Sequence, residues 1–199
     1  MTVHTTGDSH SNAAWDKDVI RHELGPCLCY SFGRDKLDRC DIRKFNLKDG
    51  DTLIFCLGEI DCRCHIHKYV SDTTSYQTII DDIVINYIDA ILLNIKTAKV
   101  KLKNVCVYNV VPPVNKHNTA DNPSFPFLGT DDERKAYVLY FNKKLKELCN
   151  QNSLVFFDIY DKYIDSNGFL RKDMSDDNVH IVDGKYIRDF LSFIVNDGI

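Results

Sequence analysis

Three stretches of the chain hold residue types that could do chemistry. Near the start, Gly7-Asp8-Ser9-His10-Ser11 places a serine in a turn. Residues 2–6 are Thr-rich and contain Val3, so they read as a strand running into that turn. A serine at a strand-to-helix turn lies at the carboxyl edge of a sheet, where open α/β folds bind ligands. Gly7 permits a tight backbone there, and amides at a helix start can face a developing negative charge. The same residues also suit ordinary turn and cap chemistry. A serine hydroxyl attacks only when a base takes its proton, and the base needs a third group to fix its tautomer. Near the other end, Asp177-Asn178-Val179-His180 can supply base and orienter from one turn. Asp176 is the neighbouring alternative, although the Asp-x-x-His spacing selects Asp177. The third stretch, Gly58-Glu59-Ile60-Asp61-Cys62-Arg63-Cys64-His65-Ile66-His67, is dense in polar and reactive groups.

The elements that must position these residues follow from hydrophobic patterning. Residues 12–17 read as a short helix, and 19–24 as a second strand ending at Gly25-Pro26. Residues 27–32 form an apolar loop, and 34–39 one helical turn. Residues 52–57 and 104–111 are buried-type strands, the latter stopped by Pro112-Pro113. Between them, Ile80, Ile83, Val84, Tyr87, Ile88, Ile91, Leu92 and Ile95 recur at three- and four-residue steps within a helix over 73–97. A long irregular segment spans 114–129, of the kind often used as a lid. Thr130-Asp131-Asp132-Glu133 is a capping box opening a helix to about Asn150. A fifth strand over 154–159, a loop over 161–176 and an amphipathic helix carrying Tyr186, Ile187, Phe190, Leu191, Ile194 and Val195 complete the chain. Strands alternating with helices predict one α/β domain over 1–199, a five-stranded parallel sheet in a three-layer α/β/α arrangement. In such a sheet Ser9, Gly25, the 59–67 cluster and the Asp177–His180 turn converge on one edge.

Gly-Asp-Ser near the start and Asp-x-x-His near the end resemble the SGNH (GDSL-type) hydrolases. The resemblance brackets nearly the whole chain. It implies a flavodoxin-like fold and a triad of Ser9 as nucleophile, His180 as base and Asp177 as orienter. It also implies oxyanion donors: the serine's own amide, a glycine amide after the second strand (here Gly25), and an Asn from Gly-x-Asn-Asp after the third. The chain departs from the last, because Gly58-Glu59-Ile60-Asp61 carries Ile60 in the Asn position. Arg63 could donate in its place through its fork of N–H groups, or backbone amides could act alone. Gly25, Glu59, Asp61 and Arg63 are therefore the candidate oxyanion and substrate-binding residues. Alternatively, Arg63 forms an ion pair with Glu59 or Asp61 that only holds the loop.

Bulk properties narrow the function. A net charge of -4 gives no support to nucleic-acid or anionic-membrane partners. No apolar run approaches membrane-spanning length and the start lacks a signal-peptide pattern, so a cytoplasmic location with reduced thiols for the eight cysteines is expected. Cys62-x-Cys64-His65-x-His67 contains soft and imidazole donors, but its spacing suits no usual zinc site, and neither metal nor cofactor is expected. The expected activity is a serine esterase working through an acyl-enzyme, removing short acyl groups such as acetyl from a small-molecule or carbohydrate ester. O-acyl transfer to sugars by the same intermediate, or a non-catalytic carbohydrate- or partner-binding domain, are the alternatives. Nothing in the sequence sets an oligomeric state.

Overall fold

The structure, a computed structural model, describes residues 1–119 and 122–196. Its centre is a sheet of five parallel strands, β1 (Val3–Gly7), β2 (Ile20–Glu23), β3 (Thr52–Cys56), β4 (Asn104–Tyr108) and β5 (Val155–Phe157). They lie in the order β2-β1-β3-β4-β5. Among the described residues, four α-helices cover it, α1 (Cys29–Asp35), α2 (Tyr76–Thr97), α3 (Asp131–Gln151) and α4 (Lys185–Asn196). This is the three-layer α/β arrangement that the strand–helix alternation predicts. No helix among the described residues is long and apolar enough to cross a membrane.

Central strands are apolar at every position because both of their faces are covered. In β3, Leu53 and Phe55 join the core beneath α1, α2 and α3, while Ile54 and Cys56 join the opposite core with Trp15 and α4; all four are 0% exposed. Successive side chains point to opposite faces, so one apolar run serves two cores. All eight cysteines are unpaired and buried.

Several local elements differ from their sequence reading, each for a traceable reason. In place of a helix over 12–17, a 3-10 turn forms at Ser9–Ser11; Asp8 caps it through the His10 N–H. Ala14 adopts φ 63°, which ends any helical continuation. Residues 27–32 open α1 rather than forming a loop, because the Asp61 carboxylate accepts the Cys29 and Tyr30 N–H groups at 2.6 and 3.0 Å. A cap donated from so far along the chain has no local signature. Residues 59–67 coil into a π-helical turn (Asp61–His65) followed by a 3-10 turn (Ile66–Tyr69), so Cys62 and Cys64 do not alternate as in a strand. The capping box at Thr130 and Glu133 forms as written in the sequence.

At the edge of the sheet, His22 lies 3.0 Å from the His4 ring, whose other nitrogen is 3.3 Å from Asp51, and it stacks on Phe45 at 3.9 Å. Burial, reinforced by His4, lowers the His22 pKa from 6.5 to about 4. The unfolded chain therefore takes up this proton first, and stability is lost as pH falls from about 6.5 towards about 4. Thermal melts followed by circular dichroism should show a shallower decline across that window in His22→Gln than in the wild type; parallel curves would exclude His22 as a contributor.

Candidate active site

The site begins with a close approach of two backbones. Gly7 ends β1 at φ 152°, and a Cβ there would stand 1.9 Å from the Cys56 carbonyl oxygen. Only glycine allows the chain through. Immediately beyond it, the Asp8 N–H donates to that same carbonyl at 3.2 Å, tying the turn to β3. The Asp8 side chain accepts the His10 N–H at 2.9 Å, the Ser11 hydroxyl donates to the Asp8 carbonyl at 2.7 Å, and the Trp15 indole donates to the His10 carbonyl at 2.8 Å. Ser9 is thus held in a stitched turn, with its hydroxyl directed away from the core.

Opposite it lies His180, on the loop before α4. Its Nε2 is 2.8 Å from Ser9 Oγ, and its Nδ1 is 2.7 Å from Asp176 Oδ2. A carboxylate accepts, so Nδ1 carries the proton and the bare Nε2 accepts from the serine hydroxyl. Asp176 Oδ1 accepts the N–H groups of Asn178 and His180 at 2.9 and 3.1 Å. Burial works against its charge, but these bonds prevail and hold Asp176 below the usual carboxylate range.

The carboxylate bonded to His180 Nδ1 is therefore that of Asp176, not that of Asp177 as the spacing led one to expect. Asp177 takes a left-handed conformation at φ 58°, its side chain is 74% exposed, and its carboxylate lies 3.8 Å from Lys172. The Asp176 side chain folds back onto the Asn178 and His180 N–H groups, and Asp177 faces outward. Spacing alone does not pick out the aspartate that bonds His180.

Ser9 and His180 open onto a cavity of about 310 Å³, lined also by Gly25, Ile60, Arg63, Phe125 and Phe127. Gly25 follows β2 at φ 70°. Neither its N–H nor that of Ser9 meets an acceptor among the described residues. Two unengaged amides at one cavity form a potential oxyanion site. Ile60 contributes only an apolar wall. Asn122 and Asn178 line the rim as well, and no sequence signal pointed to them in that place.

Arg63 is committed elsewhere, against its expected oxyanion role. Its Nε and Nη2 donate to Glu59 at 2.6 and 2.9 Å, and its Nη1 donates to the Phe125 carbonyl at 2.7 Å. The guanidinium also faces the Phe127 ring at 5.2 Å, and the Arg63 carbonyl accepts the Leu128 N–H at 3.0 Å. Glu59 and Arg63 form a clamp that holds residues 125–128 at the cavity wall. Asp61 is 0% exposed and caps α1, so it takes no place in the cavity wall. Burial, opposed by the two α1 amides, brings its pKa up to about 7.

The remaining donors of the third stretch disperse. Cys62 and Cys64 are buried, His65 packs between Tyr30 and Tyr69, and His67 lies 3.0 Å from the Tyr137 hydroxyl. No group of three or more metal-capable side chains occurs among the described residues. A separate open cleft of about 400 Å³, bordered by Tyr30, Arg34, His65 and Tyr69, contains no nucleophile–base pair.

No family model and no curated protein sequence matches the chain. Solved structures do. The chain is similar to a GDSL-like lipase from Bacteroides thetaiotaomicron (13% identity, all of this chain and 89% of the other, TM-score 0.66). It is also similar to phospholipase A1 from Streptomyces albidoflavus (11%, 96% and 98%, 0.60). A further likeness is to an acetylxylan esterase from Geobacillus stearothermophilus (9%, 100% and 94%, 0.56). The chain has the fold of the GDSL/SGNH-type hydrolases.

The clamp predicts a local effect that needs no substrate. Arg63→Ala should speed hydrogen exchange at the amides of residues 123–129 by ~10-fold, since a charge-assisted anchor is lost. The amides of β4 should be unchanged. Hydrogen-exchange mass spectrometry with equal protection in both proteins would show that Arg63 does not hold the segment.

Proposed function

We propose that the protein is a serine ester hydrolase in which Ser9, His180 and Asp176 act as nucleophile, base and orienter. The observation that carries this reading is the continuous hydrogen-bonded line from Asp176 through His180 to Ser9, ending at a cavity with two unengaged amides. As Ser9 Oγ attacks the ester carbonyl carbon, its proton passes to His180 Nε2, and the carbonyl oxygen becomes an oxyanion. The amides of Ser9 and Gly25 face that charge. Collapse breaks the bond to the alcohol, which leaves with the proton from His180, and an acyl-Ser9 ester remains. Water then enters, loses a proton to His180, and attacks the acyl carbon; collapse frees the acid and restores the Ser9 hydroxyl.

The substrate we favour is a short acyl ester, such as acetyl, on a hydroxyl-rich alcohol of carbohydrate type. A cavity of about 310 Å³ walled by Ile60, Phe125 and Phe127 suits a small apolar acyl group. Asn122 and Asn178 at the rim offer amides that can pair with hydroxyls. Among the structures with this fold, one is an acetylxylan esterase.

Intact-mass spectrometry after treatment with a small fluorophosphonate tests the nucleophile. One adduct mapping to Ser9, and none in Ser9→Ala, is expected; an unlabelled wild type that also releases no acetate from acetylated xylo-oligosaccharides would overturn the reading. Steady-state kinetics on an acetyl ester separate the two aspartates. Asp176→Asn should lower kcat by ~10⁴-fold, the scale seen when a triad loses its orienter. Asp177→Asn should stay within about twofold, as for an exposed charge away from the reacting atoms. The reverse ranking would restore Asp177.

A further inference from the structure

The residue after the nucleophile is also the least expected feature of the site. A histidine at a helix start normally faces solvent, yet His10 is only 5% exposed. Its Nδ1 lies 3.0 Å from Asp8 Oδ1, and its Nε2 lies 3.2 Å from the Val179 carbonyl oxygen. Both partners are acceptors. A neutral imidazole would aim a bare lone pair at one of them, whereas the doubly protonated ring donates to both. Val179 directly precedes His180, and the two histidine rings stand 5.0 Å apart.

We infer that His10 is held as an imidazolium and acts as a positioning residue, its Nε2–H gripping the Val179 carbonyl so that His180 is fixed over Ser9. This rests on the reading of Ser9 and His180 as nucleophile and base. The loop that carries His180 is otherwise bonded mainly to itself: Asp176 N–H to the His180 carbonyl at 3.0 Å, Val182 N–H to the Met174 carbonyl at 2.9 Å, and the Asp176 carboxylate to Asn178 and His180. Among the described residues, the His10–Val179 bond and the Ser9–His180 bond are its two polar links to the nucleophile turn. The first must place the base before the second can transfer a proton. Asp8 and His10 flank Ser9 in sequence, so one buried ion pair stiffens the nucleophile turn and tethers the base.

The surroundings suit this charge state. From the turn after β1 comes Asp8; from the end of β3 come Cys56 and Glu59, the latter paired with Arg63; from β4 comes Tyr108; from the loop before α4 comes His180. Burial drives the Cys56 thiol and the Tyr108 phenol well above their ordinary ranges, so both remain neutral. Burial also opposes a proton on His10, but Asp8 foremost, then Glu59 and the Val179 carbonyl, outweigh it and raise its pKa to about 9.

Two measurements test the inference independently of each other. Nitrogen-15 spectra of histidine-labelled protein near neutral pH, with His10 assigned by comparison with His10→Gln, should show both ring nitrogens protonated. A bare nitrogen on His10, as in a neutral ring beside a protonated Asp8, would overturn the charge state whether or not the protein cleaves esters. In kinetics on an acetyl ester, His10→Phe, which removes both donors, should lower kcat by ~10²-fold with little change in KM, the scale of a base displaced by about an ångström. His10→Gln keeps a donor towards Val179 and should recover part of that loss. Loss of melting temperature with kcat intact in His10→Phe would reduce His10 to a structural residue and refute the positioning role. If no ester is cleaved by the wild type, the functional reading fails, while the spectra still decide whether His10 carries the charge.

Discussion

The hydrogen bond between Ser9 and His180 joins residues 171 positions apart, and the rest of the structure is arranged so that it can form. A serine and an imidazole on short loops cannot hold a 2.8 Å separation by themselves. Each must be carried by an element fixed to the same rigid body. The parallel sheet supplies that body, since all of its carboxyl ends face one way. β1 delivers Ser9, and the chain returning from β5 delivers His180. Gly7 sets the tolerance of this construction. By allowing β1 to run against the Cys56 carbonyl, it fixes the turn to β3, the most deeply buried strand.

Placement of Arg63 shows how packing decides between chemical roles of one side chain. A guanidinium free in the cavity could face an oxyanion. Here it is shared between a carboxylate four residues earlier, a carbonyl on the covering segment and an aromatic ring. Bidentate pairing uses the geometry that makes arginine distinctive, and a partly desolvated pair is costly to separate. In the proposed mechanism, charge stabilisation at Ser9 is thereby left to backbone amides. The Ser9 amide needs no side-chain ordering, because the turn that carries it is already fixed by Asp8, Ser11 and Trp15. Ile60 then serves as a wall, and the cation serves to hold the cover.

The legible part of the site is the part encoded by local order. The alternation of buried runs with amphipathic helices gave the sheet and its carboxyl edge, and Gly7-Asp8-Ser9 and His180 could be placed there because strand ends are visible in sequence. What stayed hidden depends on contacts between distant segments. The start of α1 is capped by Asp61, so residues 27–32 read as a loop. The π-helical turn after β3 redirects Cys62, Cys64, His65 and His67, so their spacing misleads. Asp176 and Asp177 are told apart by the fold of the Asp176 carboxylate onto the Asn178 and His180 N–H groups and by the left-handed φ at Asp177, neither of which spacing reveals. His10 carried no signal, because its burial depends on a loop that arrives at residue 179.

These hidden contacts share a purpose that stability alone does not explain. Asp8 with His10 and Glu59 with Arg63 place two ion pairs under the site, and Asp61 adds a buried carboxyl held by helix amides. An apolar layer of the same volume would often be as stable or more so, since desolvating charge offsets much of the attraction. Apolar side chains, however, slide over one another at little cost, whereas a buried charge must keep its partner or lose several kcal/mol. A polar layer therefore resists small displacements of the loops above it. Three of these side chains end on those loops: His10 on the Val179 carbonyl, Arg63 on the Phe125 carbonyl, and Asp61 on the segment that follows Gly25. The His180 loop, the 125–128 segment and the chain after Gly25 are thus each tied to the sheet edge by a titratable side chain, and Ser9 and His180 stand aligned above them.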